Sequence, residues 1–239
     1  MIKHIYLLWL QGFDKVPPIV YQCIKSWKHY NPDWQIFYLT ESNIHKLINI
    51  NLKKYKQLEK CHLSDIIRLL LLNKYGGVWA DATTFCNKPL SSWLPNYTKE
   101  GFFAFDKPGP DRLLSNWFLY SEPNNYIIKC WTNATLNYYE THNKAHTYFI
   151  NHYLFGDLYK NKNNLEFKQM WDKVPKLSAN GQNLGPHYLQ EKGLFSICTN
   201  VVKKDIISKI TPLYKLTWKC DINRYNAKTN LHYLFSTIG

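Results

Sequence analysis

Apolar positions in the first third of the chain change their period three times, and each change marks an element. "KHIYLLWLQG" (3–12) carries an apolar run closed by Gly12, too short for a helix, and predicts a buried strand from Ile5 to Leu10. "PPIVYQCIKSWKHYNP" opens on proline, places Ile19, Cys23, Ile24 and Trp27 at helical spacing, and stops at Asn31-Pro32-Asp33. "DWQIFYLT" alternates and is rich in aromatics, as a strand is, with Thr40 placed to cap a short helix over "ESNIHKLI".

"HLSDIIRLLLLNKYGG" is apolar nearly all round and predicts a central buried helix, with Ser64 as N-cap, Asp65 in the first turn and Gly76-Gly77 ending it. The short strand "VWAD" follows, with Asp81 at its carboxyl end, where open α/β sheets bind ligands. Strands alternating with helices predict an α/β fold, a mostly parallel sheet flanked by helices. "GFFAFD" (101–106) reads as a further strand. "NNYIIKCWTNATLNYYE" reads as a helix with Ile127, Ile128, Trp131 and Leu136 inward. Beyond Thr141 the pattern predicts no element. No linker, repeat or low-complexity tail divides residues 1–239, so a single domain is expected.

Composition narrows the classes. A chain that is 45% hydrophobic and 16% aromatic is not disordered. Cysteines at 23, 61, 86, 130, 198 and 220 form no CxxC pair, which argues against a zinc knuckle or disulfide framework and for reduced thiols in a cytoplasmic protein. "IYLLWL" is too short for a signal h-region, and "IIRLLLL", with Arg68 inside it, falls far short of a membrane span. The net charge of +13 favours anionic partners, although Lys/Asn/Ile-rich stretches such as "HKLININLKKYKQ" account for much of it without selection for charge. Basic residues among 18 Tyr and 9 Trp allow a nucleic-acid-binding reading, but the charges are dispersed, no binding motif occurs and the reading leaves the acids below unexplained, so no nucleic-acid partner is expected.

Asp65 and Arg68 stand at i,i+3, the Gly76-Gly77 turn follows, and Asp81 lies sixteen positions beyond Asp65. Singly these are a helix-dipole acid, a local ion pair, a C-cap and a turn cap. Together they predict one pocket in which carboxylates accept, and a guanidinium donates, hydrogen bonds to a polyhydroxylated ligand.

"LSDIIRLLLLNKYGGVWADATTFCNKPL", within residues 62–90, resembles the core of the capsular polysaccharide synthesis glycosyltransferases, related to DXD-containing GT-A sugar transferases. "KHIYLLWLQG" and "SWKHYNPDWQIFYL" resemble the start of that family, while "SNWFLYSEPNN" and Gly185-Pro186 in "QNLGPHYL" are weaker echoes. The resemblance implies a GT-A-like domain with a donor part over about 1–110 and an acceptor part over about 111–239. It implies transfer of a hexosyl or deoxyhexosyl group from a nucleotide-diphosphate donor to a glycan acceptor, lipid-linked or free, at the inner face of an anionic membrane or in the cytoplasm. Asp65 and Arg68 would hold the donor sugar, Asp81 would meet the ribose and the metal-diphosphate, and Trp9 would stack on the base. Gly77, Thr83 and Trp117 complete the donor-side set.

Thr83 stands where many relatives carry a second Asp, which leaves Asp81, with His187 as a further ligand, to hold Mn²⁺ or Mg²⁺. Asp106, Asp172 and Glu191 are candidates for a general base, and the stereochemical outcome stays open. The competing reading is an inactive sugar-nucleotide or glycan-binding protein of the same fold.

Overall fold

The computed structural model describes residues 1–180, 185–190 and 193–239. Strand β1 (His4–Leu8) pairs in parallel with β2 (Gln35–Leu39) on one side and β3 (Gly77–Asp81) on the other. Helix α1 (Pro18–Tyr30) crosses from β1 to β2 and packs Ile19, Cys23 and Trp27 onto Ile5 and Leu7. Helix α2 (Lys60–Tyr75) crosses from β2 to β3 on the opposite face, where Ile67, Leu69 and Leu71 meet Tyr6 and Leu8. Alternate residues of β1 thus feed two cores, because successive strand side chains point to opposite faces. Burying a large apolar side chain such as Trp27 or Ile67 contributes roughly 1.5–3 kcal/mol.

The chain turns at β4 (Thr84–Cys86), then forms a hairpin of β5 (Phe102–Gly109) and β6 (Arg112–Ser121). β6 pairs antiparallel with both β3 and β5, so the sheet order is β2-β1-β3-β6-β5 and every strand except β6 runs the same way. Helices α3 (Tyr126–Thr141), α4 (Ile150–Lys160) and α5 (Leu165–Lys173) cover the α2 face through Ile128, Trp131, Phe155 and Trp171. On the α1 face, α6 (Asn200–Ser208) and α7 (Asn230–Ser236) pack Val202, Ile206 and Leu231. Between α6 and α7, β7 (Leu213–Lys215) pairs antiparallel with β4. Position 110 falls in the turn between β5 and β6, so the sheet and both helical layers draw on residues from either side of it.

Several boundaries differ from the sequence expectation. β1 ends at Leu8, and Trp9 and Leu10 enter a turn closed by the Gly12 N–H on the Trp9 carbonyl at 2.9 Å. α2 begins at Lys60, with the Glu59 carbonyl accepting from the His62 and Leu63 N–H groups. Ser64 is therefore not the cap, and Asp65 lies in the second turn, beyond the reach of the helix N-terminus. Asn43, not Thr40, precedes the single 3₁₀ turn Ile44–Lys46 that stands where a short helix was expected, and its side chain accepts from the Thr40 N–H at 2.8 Å.

Gly76 does terminate α2, with φ +64°. Gly77 has φ +98°, and a Cβ there would stand 2.9 Å from the His4 carbonyl oxygen, which explains why glycine opens β3. None of the six cysteines forms a disulfide. Among the described residues no helix is long and apolar enough to cross a membrane.

Candidate active site

Connections leave β1 and enter β3 on opposite faces of the sheet, so their carboxyl ends border a crevice, the place where open α/β sheets bind ligands. The register pairs Leu8 with Asp81 at that edge. A cavity of about 640 Å³ opens there, within the usual range for a small-molecule site. Trp9, Asp65, Arg68, Asp81, Thr83 and Lys215 all line it.

Arg68 is 4% exposed and organises the floor. Its Nε donates to the Ser64 carbonyl (3.3 Å), Nη1 to the Asn116 carbonyl (2.7 Å), and Nη2 to Ser64 Oγ (3.0 Å) and Asp81 Oδ1 (3.3 Å). Nη1 also stands 3.2 Å from Asp65 Oδ1. Guanidinium carries five N–H groups, so four are committed to protein and the fifth sits on a nitrogen facing Asp65. Arg68, expected to hold the donor sugar, here spans two carboxylates and orients both. Its guanidinium carbon lies 5.1 Å from the centre of the Trp79 ring, whose indole N–H donates to Asp81 Oδ1 at 3.1 Å.

Asp65 Oδ1 also accepts from Asn116 Nδ2 at 2.8 Å, while Oδ2 faces His62 Nδ1 at 3.8 Å, too far for a hydrogen bond. Oδ2 is the better placed of the two oxygens to accept from a ligand hydroxyl.

Lys215 closes the other side. The β4–β7 pairing sets it opposite Thr84, and the Leu216 N–H bonds the Thr83 carbonyl at 2.9 Å. Its Nζ reaches Asp81 Oδ2 at 3.0 Å and Thr83 Oγ1 at 2.5 Å. Burial pushes the Asp81 carboxyl up, but Lys215 and Arg68 outweigh it and hold the group below the ordinary carboxylate range. Sequence reasoning missed Lys215, Asn116 and Trp79 as site residues. The alternation in "VWAD" was the one available signal, since it sets Trp79 and Asp81 on one side of β3.

Trp9 lines the mouth, 5.8 Å edge-to-face from Trp218, which is itself 43% exposed. The other expected residues stand elsewhere. Gly77 occupies the far end of β3 from Asp81, where its role is close packing on His4. Trp117 is buried against Phe105 and donates its indole N–H to His187 Nε2 at 2.9 Å. That bond leaves the proton on Nδ1, which donates to Asn180 Oδ1 at 3.2 Å. Both ring nitrogens of His187, the expected further metal ligand, are engaged within the protein, and the residue does not line the cavity with Asp81.

Asp106 is buried beside Leu177 and Ala179, and Asp172 pairs with Lys168 at 2.6 Å on α5; neither lines the cavity. Glu191 lies outside the described residues.

The chemistry of the donor set tests the expected divalent ion at Asp81. Both Asp81 oxygens already accept from protein cations, and the Lys215 ammonium sits between Asp81 and the neighbouring Thr83 hydroxyl. An oxygen-seeking dication needs anionic ligands free of competing positive charge. The residues at Asp81 do not fit one. A different set, Glu59, Cys61 and His62 at the start of α2, brings three potential ligand atoms within 4.8 Å of one another.

Residues 1–234 match the family model described as "Capsular polysaccharide synthesis protein". The O-glycosyltransferase braB of Annulohypoxylon truncatum is 27% identical over 152 residues, covering 54% of this chain and 36% of that one. The chain thus spans about a third of the length of this curated relative. Among solved structures, "PaToxG Glycosyltransferase" aligns over 72% of this chain and 73% of that one at 17% identity, with a TM-score of 0.48, a likeness too distant to inform the chemistry.

Proposed function

The chain belongs to the capsular polysaccharide synthesis family, and from that premise we propose that it transfers a sugar from a nucleotide-diphosphate donor to a hydroxyl of a glycan acceptor. The observation that carries the reading is the convergence of Asp65, Arg68 and Asp81 on one cavity at the carboxyl ends of β1 and β3. A sugar nucleotide presents an aromatic base, hydroxyls and a diphosphate. The cavity offers a matching feature for each: Trp9 and Trp218 for the base, Asp65 Oδ2 for a sugar hydroxyl, and a cationic wall at Lys215 for the phosphates.

In this reading the anomeric C–O bond breaks with its electron pair staying on the diphosphate oxygen. The acceptor hydroxyl oxygen forms the new bond to the anomeric carbon, and its proton passes to the departing diphosphate. Positive charge on the sugar and negative charge on the leaving group grow together, so fixed charge near the phosphates lowers the barrier most. Arg68 acts as a positioning residue that keeps the two carboxylates from repelling each other. A lipid-linked acceptor at an anionic leaflet extends the proposal, and flotation with anionic vesicles that recovers no protein would count against it.

The test is thermal unfolding of the full chain against UDP-, GDP-, CMP- and dTDP-sugars, since a ligand of the native state must raise its midpoint. One nucleotide class raising Tm, with slow donor hydrolysis that Asp81→Asn removes, supports the transferase. Binding without any turnover, with or without acceptor glycans, favours an inactive binding protein. No shift with any donor defeats both.

A further inference from the structure

The mismatch between Asp81 and a divalent ion points to a different source of positive charge, and this inference rests on the transferase reading above. We infer that the Lys215 ammonium, held by Asp81 and Thr83, is the group that binds the donor's diphosphate and takes up its charge as it leaves, so that this step needs no divalent ion at Asp81.

Four observations carry it. Lys215 Nζ has three N–H groups; one reaches Asp81 Oδ2 and one Thr83 Oγ1. The third has no protein acceptor among the described residues, and the side chain, 16% exposed, lines the cavity. Arg68 has no such opening, because its N–H groups face Ser64, Asn116, Asp65 and Asp81. Of the two cations at Asp81, Lys215 is the one with an N–H that faces no protein acceptor among the described residues.

The lysine is also held in place from both its backbone and its tip. Its N–H bonds the Pro186 carbonyl at 2.8 Å, and the next residue's N–H bonds Thr83, so β7 cannot slide along β4 without breaking the site. Preorganised charge of this kind acts without reorganisation when charge develops on the leaving group. Thr83 then has a defined task. In place of a second carboxylate, its hydroxyl accepts from the ammonium and leaves the cation net positive toward the cavity.

The experiment measures binding of UDP, GDP and dTDP, and of their sugar conjugates, to the full chain by calorimetry and thermal shift, with EDTA and separately with Mn²⁺. The wild type, Lys215→Met, Lys215→Arg and Lys215→Gln are compared. Expected is binding in EDTA that Mn²⁺ strengthens little, that Lys215→Met weakens about 10- to 100-fold, the usual worth of a charge-assisted hydrogen bond, and that Lys215→Arg partly keeps. Lys215→Gln serves as the second charge-removing variant should the methionine variant not fold. Binding in EDTA that survives loss of the charge overturns the inference. So does binding by the wild type that requires Mn²⁺, an outcome that leaves the transferase reading standing. No binding under either condition removes the transferase reading itself.

Discussion

Arg68 Nη2 stands 3.3 Å from Asp81 Oδ1, and the same guanidinium lies 3.2 Å from Asp65, so one buried cation bridges two carboxylates at the floor of the cavity. Removing it leaves both acids with less compensation, Asp65 in a nearly buried position. Arg68→Ala should destabilise the fold by about 3–5 kcal/mol, as loss of one partner from a buried ion pair does. Arg68→Lys should recover only part, since an ammonium lacks the planar fork that spans both acids. Urea unfolding measures both, and equal stability of Arg68→Lys and wild type would refute the bridging role.

Asp81→Asn keeps the shape and one acceptor but removes the charge that anchors Lys215. Donor hydrolysis is expected to fall by about 100- to 1,000-fold, the range for losing one preorganised electrostatic element. Far-UV circular dichroism should be unchanged. A drop of less than tenfold would mean that Asp81 is dispensable for holding the cation.

Trp218 and Trp9 meet edge-to-face at the cavity mouth, which leaves aromatic surface for a base. Stacking of a base on an aromatic side chain contributes about 1–3 kcal/mol. Trp218→Ala should therefore weaken nucleoside diphosphate binding by roughly 5- to 150-fold, with little effect on Tm because the ring is partly exposed. Calorimetric titration reads the change directly, and unaltered affinity would assign the base to another wall.

Two histidines predict the acid limb of stability. Burial pushes His152 down to about 4, and burial together with Lys215 and Arg112 does the same to His187. The unfolded chain takes up these protons near its ordinary value of about 6.5, whereas the folded chain resists until about 4. The contribution of these two groups is thus intact above about pH 6.5 and is lost progressively as the pH drops toward 4. Urea midpoints measured across that window should show the decline, and His152→Gln should make it shallower. A parallel decline in the variant would rule His152 out as a contributor.

Gly77→Ala places a Cβ 2.9 Å from the His4 carbonyl oxygen at φ +98°. A loss of about 1–3 kcal/mol is expected from that strained conformation. Nucleotide affinity should not change, since the residue lies at the other end of β3 from the site. Weaker binding with unchanged stability would restore Gly77 to the donor side.

The sequence by itself determined the α/β class and the alternation of elements from β1 to β3. It also determined the helix over Tyr126–Thr141, where Asn125 caps the start by accepting from the Ile127 N–H at 3.0 Å. These are local properties: apolar period, a proline at a helix start, glycine at a helix end. It likewise set Asp65 and Arg68 on one helical face and Asp81 at a strand's carboxyl end, because 3.6-residue and two-residue repeats fix such relations within an element.

What only the tertiary structure decided is how those groups are used. Ser64 reads as a cap in isolation, yet the helix starts a turn earlier and the hydroxyl accepts from Arg68. Trp117 and His187 look like site residues by type, but the buried indole and the half-buried imidazole satisfy each other away from the cavity. Lys215 carries no mark in "LYKLTW", because its partner Asp81 is 134 positions away and is reached only through the β4–β7 register. Long-range pairing sets which donors remain open to a ligand, and no local pattern encodes that.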